Sequence, residues 1–214
     1  LYYDGRGRRY LMEYLEAFEQ HLMLVIISLA ISFVLAIAIS YILLKLPRAQ
    51  RIVENLFGAI YSVPSLALFA LMIPVTGLGD ETAIIALVIY NQYLLIRNIL
   101  AGINGIDKSI LEAGTGMGMS QGQIFSKVIL PLAAPSIIAG VRLAVVSTTG
   151  IATIAASINA GGLGIVLFSG MRTMDSQKIF IGTLLCIVIA LVADIGIKCI
   201  ENKIDWRVRG KNEL

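Results

Sequence analysis

Charge is what this sequence has least of. Only 14% of its 214 residues are Asp, Glu, Lys or Arg against 57% hydrophobic ones, and the mean hydropathy is +0.85. Water-soluble domains carry about a quarter charged residues, so that class is excluded. Histidine occurs once and cysteine twice. Cys186 and Cys199 form no CxxC and have no histidine near them, which leaves neither a metal site nor a thiol redox pair. They read as small buried hydrophobes. No GxxxxGK[ST] sequence occurs, and Gly114, Gly116 and Gly118 fall short of GxGxxG and follow no predicted strand. The chain therefore has no nucleotide-binding motif of its own, and nothing in it points to nucleic acid.

What is present is length without charge. Leu22–Leu44, Leu56–Gly79 and Leu143–Met171 contain no charged residue, and each exceeds the roughly 20 residues that a helix needs to cross a hydrocarbon core. Hydropathy predicts an all-α membrane protein of about five spans: Leu22–Leu44, Ile52–Val75, Thr82–Gly102, Pro131–Ile158 and Ile179–Ile200. An N-terminal segment 1–21 precedes a transmembrane domain 22–200, and a basic tail 201–214 follows it. Leu11, Tyr14, Leu15 and Phe18 recur at helical spacing, as expected of a helix lying in the membrane surface. The opening lacks the cleavage pattern of a signal peptide. Leu1 in place of Met is expected of a chain that starts partway into a longer one.

Orientation follows from Lys and Arg, which are retained on the cytoplasmic side. With the N-terminus outside, eleven fall inside: Lys45, Arg48, Arg51, Arg97, Lys108, Lys127, Lys198, Lys203, Arg207, Arg209 and Lys211. Five fall outside: Arg6, Arg8, Arg9, Arg172 and Lys178. Within the spans, Arg97 and Asp194 read as anchors near the cytoplasmic ends, with Lys198 one turn from Asp194 as its partner. Arg142 lies deeper, where it either pairs with Asp194 or marks a path. His21 reads as an interfacial polar residue.

One connection is far longer than the rest. Residues 101–130 form a predicted cytoplasmic loop in which Asp107 is suited to cap a short helix reaching about Met117. Glycines then break that helix, and Ser120 is suited to cap a second one with Ile124, Phe125, Val128 and Ile129 on its apolar face. The expectation is a helix, a turn and a helix at the membrane surface. Small Ala113 and Gly114 allow close approach of another protein, Glu112 offers one charge, and Gly118 permits the reversal.

This stretch resembles the permease subunits of binding-protein-dependent ATP-binding-cassette (ABC) importers, whose loop reads Glu-Ala-Ala, three residues, Gly, nine residues, Ile, one residue, Leu-Pro. Here the match is Glu112, Ala113, Gly114, Gly118, Val128, Leu130 and Pro131 with every spacing kept; Gly114 replaces Ala and Val128 replaces Ile. The resemblance implies the type I importer permease fold in a bacterial inner membrane. It also implies that the loop is a coupling helix seated on an ATPase subunit, which binds the ATP and Mg. Further implied partners are a second permease subunit, identical or paralogous, an extracytoplasmic solute-binding protein and membrane lipids.

Two further stretches, Ala59–Pro74 with Thr76–Gly79, and Ala152–Gly164, look like the osmoprotectant branch, which imports glycine betaine, carnitine and choline. Some of their elements are shared with methionine-type permeases, which leaves methionine or another small zwitterion as the alternative solute. Pro64 and Pro74 interrupt the second span, a break tolerated where backbone lines a wet cavity or is buried in protein. Tyr61, Ser62, Ser65, Asn91 and Tyr93 are candidates for a translocation path, with aromatic faces suited to a quaternary ammonium; ordinary interhelical bonding is the competing reading. Ser147–Gly150 and Thr153 are candidates for close packing at a two-fold interface. A channel would need no coupling loop. An intramembrane enzyme would need converging catalytic groups, and none are spaced for it, so no enzymatic activity and no metal are expected.

Overall fold

The computed structural model describes residues 4–209, with side chains described for residues 10–203. The side chains of Arg6, Arg8, Arg9, Arg207 and Arg209, and all of Lys211, lie outside that set. The described residues fold into helices α1 (Asp4–Leu43), α2 (Pro47–Tyr61), α3 (Ser65–Thr76), α4 (Asp80–Asn104), α5 (Lys108–Gly116), α6 (Gln121–Ile124), α7 (Leu130–Ala155), α8 (Leu163–Thr173) and α9 (Ser176–Arg209). A π-helical turn, Phe125–Ile129, joins α6 to α7, and a 3-10 turn, Ala156–Ile158, ends α7.

Four of these helices are long and apolar enough to cross a bilayer singly, and the α2–α3 pair makes a fifth span if counted as one. That pair is bent by 99°. Pro64 explains the break: its ring removes a donor and forces Val63 out of helical geometry. The span expected over 52–75 is therefore two half-helices meeting at Ser62–Pro64. Leu163–Thr173 is helical where no element was expected, and its 11 residues are too short to span.

The first helix also departs from expectation. It runs unbroken for 40 residues, so no separate surface helix precedes the span. Tyr14 and Phe18 pack against Leu163, Val166 and Ile189 of α8 and α9, whereas Leu11 and Leu15 remain exposed. A lateral helical neighbour buries half the stripe, which a membrane surface would have buried whole.

α4 is the central post. It packs on α1, α2, α3 and α7, and Leu95, Ile96, Ile99 and Leu100 meet Ala36, Leu43 and Ala144 in its main apolar layer. With no hydrophobic force between helices in lipid, close approach and interhelical hydrogen bonds hold such a bundle. The α4–α7 crossing shows both. An added Cβ on Gly140 would fall 2.5 Å from the Asn98 Cβ, and Ser136 Oγ donates to the Asn98 carbonyl at 2.9 Å.

Candidate coupling surface and translocation path

The loop between α4 and α7 takes the expected form. Asp107 Oδ1 accepts from the Ser109 backbone N–H at 2.9 Å, which caps α5 and holds the Asp107 carboxyl below its usual range. Ser120 caps α6 in a reciprocal box: Ser120 Oγ accepts from Gln123 N–H at 3.3 Å, and Gln123 Oε1 accepts from Ser120 N–H at 2.9 Å. Between the helices Gly118 sits at φ +78°, the left-handed conformation that the reversal requires.

Glu112 and Ala113 are exposed on the outer face of α5, but Gly114 is not. It turns inward against Ile124 and Met119, so it closes the two helices on each other. Pro131 opens α7 directly after the π-helical turn, where Leu130 N–H reaches back to the Phe125 carbonyl. Such turns recur where a helix must re-aim at a functional site.

The structure divides the five expected path residues. Tyr61 and Tyr93 meet with ring centroids 5.0 Å apart and planes at 31°. A third ring, Tyr90, stands edge-on to Tyr61 at 5.8 Å and donates its hydroxyl to the freed Val63 carbonyl at the α2–α3 bend. Tyr90 is absent from the sequence candidates; the signal was available, since it lies three residues before Tyr93 and shares its helix face. The Tyr61 hydroxyl lies 3.4 Å from Ser147 Oγ on α7. Ser62 is exposed and returns its hydroxyl to the Ala59 carbonyl, while Ser65 opens α3.

Asn91 does not join them. It is fully enclosed, donating to Ser32 Oγ at 3.2 Å and accepting from Thr148 Oγ1 at 2.9 Å. Gln92 adds a bond to the Ser32 carbonyl, which makes a polar bracket across α1, α4 and α7. The Ser147–Gly150 run splits likewise: Thr148 and Thr149 are buried, Ser147 is half-buried, and Gly150 faces outward with no neighbour over its Cα.

Of the charged candidates, Arg142 pairs with Asp194 through two bonds, 2.5 and 3.2 Å, with Glu201 at 3.6 Å. Among the described residues Lys198 forms no ion pair with Asp194: the planar guanidinium of Arg142 matches the carboxylate fork better than an ammonium one turn away. Arg97 donates to the Tyr93 hydroxyl. His21 is fully buried, with Gly162 of the α7–α8 connection against its ring.

Residues 28–206 match the family described as binding-protein-dependent transport system inner membrane component. The chain is similar to the carnitine transport permease protein OpuCB of Listeria monocytogenes, 34% identical over 90% of this chain and 86% of that one. It is also similar to the choline transport system permease protein OpuBB of Bacillus subtilis, 32% identical over 86% of this chain and 85% of that one. In fold it resembles a chain of the inward-facing MetNI methionine ABC transporter, with a TM-score of 0.82, 19% identity, and coverage of 92% of this chain and 98% of the other.

Proposed function

The chain belongs to the family of binding-protein-dependent transport system inner membrane components, and on that premise we propose that it is the permease subunit of an ATP-driven importer for an osmoprotectant such as glycine betaine, carnitine or choline. It is a transport subunit and not an enzyme; ATP and Mg belong to an ATPase partner. The observation that carries this reading is the capped α5–turn–α6 unit, which presents Glu112 and Ala113 outward and leads through the π-helical turn into α7. The carnitine and choline permeases among its relatives support the solute class. The likeness to a methionine transporter carries the fold and no substrate.

In this reading two permease subunits enclose one path, two ATPases sit beneath them, and a solute-binding protein delivers from outside. Glu112, Ala113 and Gly118 form the coupling contact, with Gly114 and Pro131 supporting it from within. Tyr61, Ser62, Ser65 and Tyr93 flank the path. Asn91 supports α4 rather than touching solute. The N-terminus lies outside and the C-terminus in the cytoplasm. Cysteine labelling tests that orientation: a membrane-impermeant thiol reagent should reach Met174→Cys in intact cells and Met117→Cys only after permeabilisation.

The solute class is tested by ATP-dependent uptake of labelled glycine betaine in cells expressing the subunit with its ATPase and binding protein, competed with carnitine, choline and methionine. Competition by the quaternary ammonium compounds alone is the expected result. Competition by methionine alone would overturn the solute class and leave the importer.

A further inference from the structure

Arg97 is the only basic residue in α4, and it forms no ion pair with a carboxylate among the described residues. A guanidinium at membrane depth is costly and points to function by default. Seven residues, about 10 Å of helix, separate it from the end of α4 at Asn104. An anchoring arginine would extend along that distance toward interfacial water. Arg97 turns the other way, one turn deeper, where it donates to the Tyr93 hydroxyl and holds Cζ 5.6 Å from the Tyr93 ring centroid.

The ring it reaches is fixed from several sides. Tyr93 lies over Gly58, where an added Cβ would come within 3.2 Å of it, and against Tyr61, itself braced by Tyr90. Tyr61 and Tyr90 stand at the α2–α3 bend, and Tyr93 and Arg97 follow at successive turns along α4. Discontinuous helices near the bilayer midplane are where transporters build solute sites. Tyr61, Tyr93 and Ser147 remain half-buried, and Ser62 and Arg97 are exposed, so the surface is open on one side.

We infer that this surface is a site for a zwitterion, with Tyr61 and Tyr93 receiving its quaternary ammonium and Arg97 its carboxylate, and that Arg97 sets the preference for zwitterions over simple cations. The inference rests on the osmoprotectant reading. Aromatic faces attract the ammonium of either solute class. The guanidinium discriminates: it repels a bare cation such as choline, whereas a carboxylate relieves the cost of its unpaired charge. An anchoring role predicts no such discrimination.

The test uses the full complex, with ATPase and binding protein, in proteoliposomes, comparing initial uptake of glycine betaine and choline at saturating concentrations. Arg97→Gln should lower the betaine-to-choline rate ratio about tenfold, the scale of one charge-assisted bond. Arg97→Lys should restore part of it, and Tyr93→Leu should slow both solutes. If the wild type moves betaine but not choline, Arg97→Gln should abolish betaine uptake while ATP hydrolysis stimulated by the binding protein persists. An unchanged ratio in Arg97→Gln, full rates in Tyr93→Leu, or a wild type that moves choline alone overturns the inference and leaves the importer reading standing. No uptake of either solute, nor of carnitine, by the wild type removes the osmoprotectant reading, and the inference with it.

Discussion

Two glycine-to-alanine substitutions in this chain should differ in their effect on stability. Alanine is favoured over glycine in a helix interior by about 1 kcal/mol, a gain common to both sites. At Gly114 the added methyl meets Ile124 Cγ1 at 3.5 Å and Met119 Sδ at 3.6 Å, which is ordinary contact. Gly114→Ala should therefore keep that gain and stabilise α5 by about 1 kcal/mol. At Gly140 the methyl meets Asn98 Cβ at 2.5 Å and Cγ at 3.1 Å. Carbon pairs rest at about 3.5–4.0 Å, so α4 and α7 must part by roughly 1 Å. The obstacle is the root of a side chain on a packed helix and cannot swing aside. Overpacking of this kind costs about 1–3 kcal/mol, which cancels or exceeds the propensity gain. Gly140→Ala should thus fall about 1–3 kcal/mol below Gly114→Ala. Heating the purified complex in detergent and measuring the fraction that survives size exclusion reads the order directly. Equal midpoints for the two variants would refute the close crossing at Gly140.

Glu112→Lys should leave the protein inserted and assembled but separate ATP hydrolysis from transport, seen as hydrolysis without uptake in the same vesicles; normal uptake would count against the coupling assignment. Arg142→Gln should destabilise the complex more than Arg142→Gln combined with Asp194→Asn, because the single variant strands a carboxylate within the bundle; thermal midpoints of the two would show it. The Asp107 cap is pH-dependent. Its carboxyl is depressed in the folded state, so the cap contributes fully above the ordinary carboxylate range and is lost as pH falls through the depressed value. Amide exchange at Ser109, corrected for intrinsic rate, should accelerate on acidification in the wild type and show no such dependence in Asp107→Asn.

The spans and the helix–turn–helix form of the α4–α7 loop were legible because each rests on local chemistry. Charge-free runs declare membrane helices, and Asp107, Ser120 and Gly118 declare caps and a reversal through interactions within three residues. What hydropathy could not supply was direction. Pro64 marked an interruption, but only the packing of α3 on α4, with Phe69 fully buried, makes that interruption a 99° bend. The Leu11–Phe18 stripe correctly indicated an apolar face without saying whether lipid or α8 and α9 would cover it. Asn91 and Tyr93 lie two positions apart, and a helix turns about 200° over that distance, so they cannot serve one face. Applied to the sequence, that geometry separates Asn91 of the polar bracket from Tyr93 of the aromatic cluster and brings in Tyr90, whose ring meets Tyr61.

Two sets of polar side chains have opposite consequences. Ser32, Asn91, Gln92 and Thr148 bond one another across α1, α4 and α7, and Ser136 bonds the α4 backbone at Asn98, so α4 and α7 are joined at a second level. Arg142 extends the union to α9. In the importer reading proposed above, a push delivered through α5 and α6 would enter this block at Pro131 and move it as a body, since shifting one helix alone would strand hydrogen-bonding groups where no water replaces them. Ser62, Arg97 and Ser147 belong to the second set, grouped around the bend and left open on one side. Arg97 and Ser147 ride on the block, whereas Ser62 sits on the break between α2 and α3, where Tyr90 holds the Val63 carbonyl through one hydrogen bond. Displacement of the block against that hinge therefore changes the spacing between the aromatic surface and the groups across from it. On that reading a solute held there would be gripped or released by the same movement that the α5–α6 loop transmits.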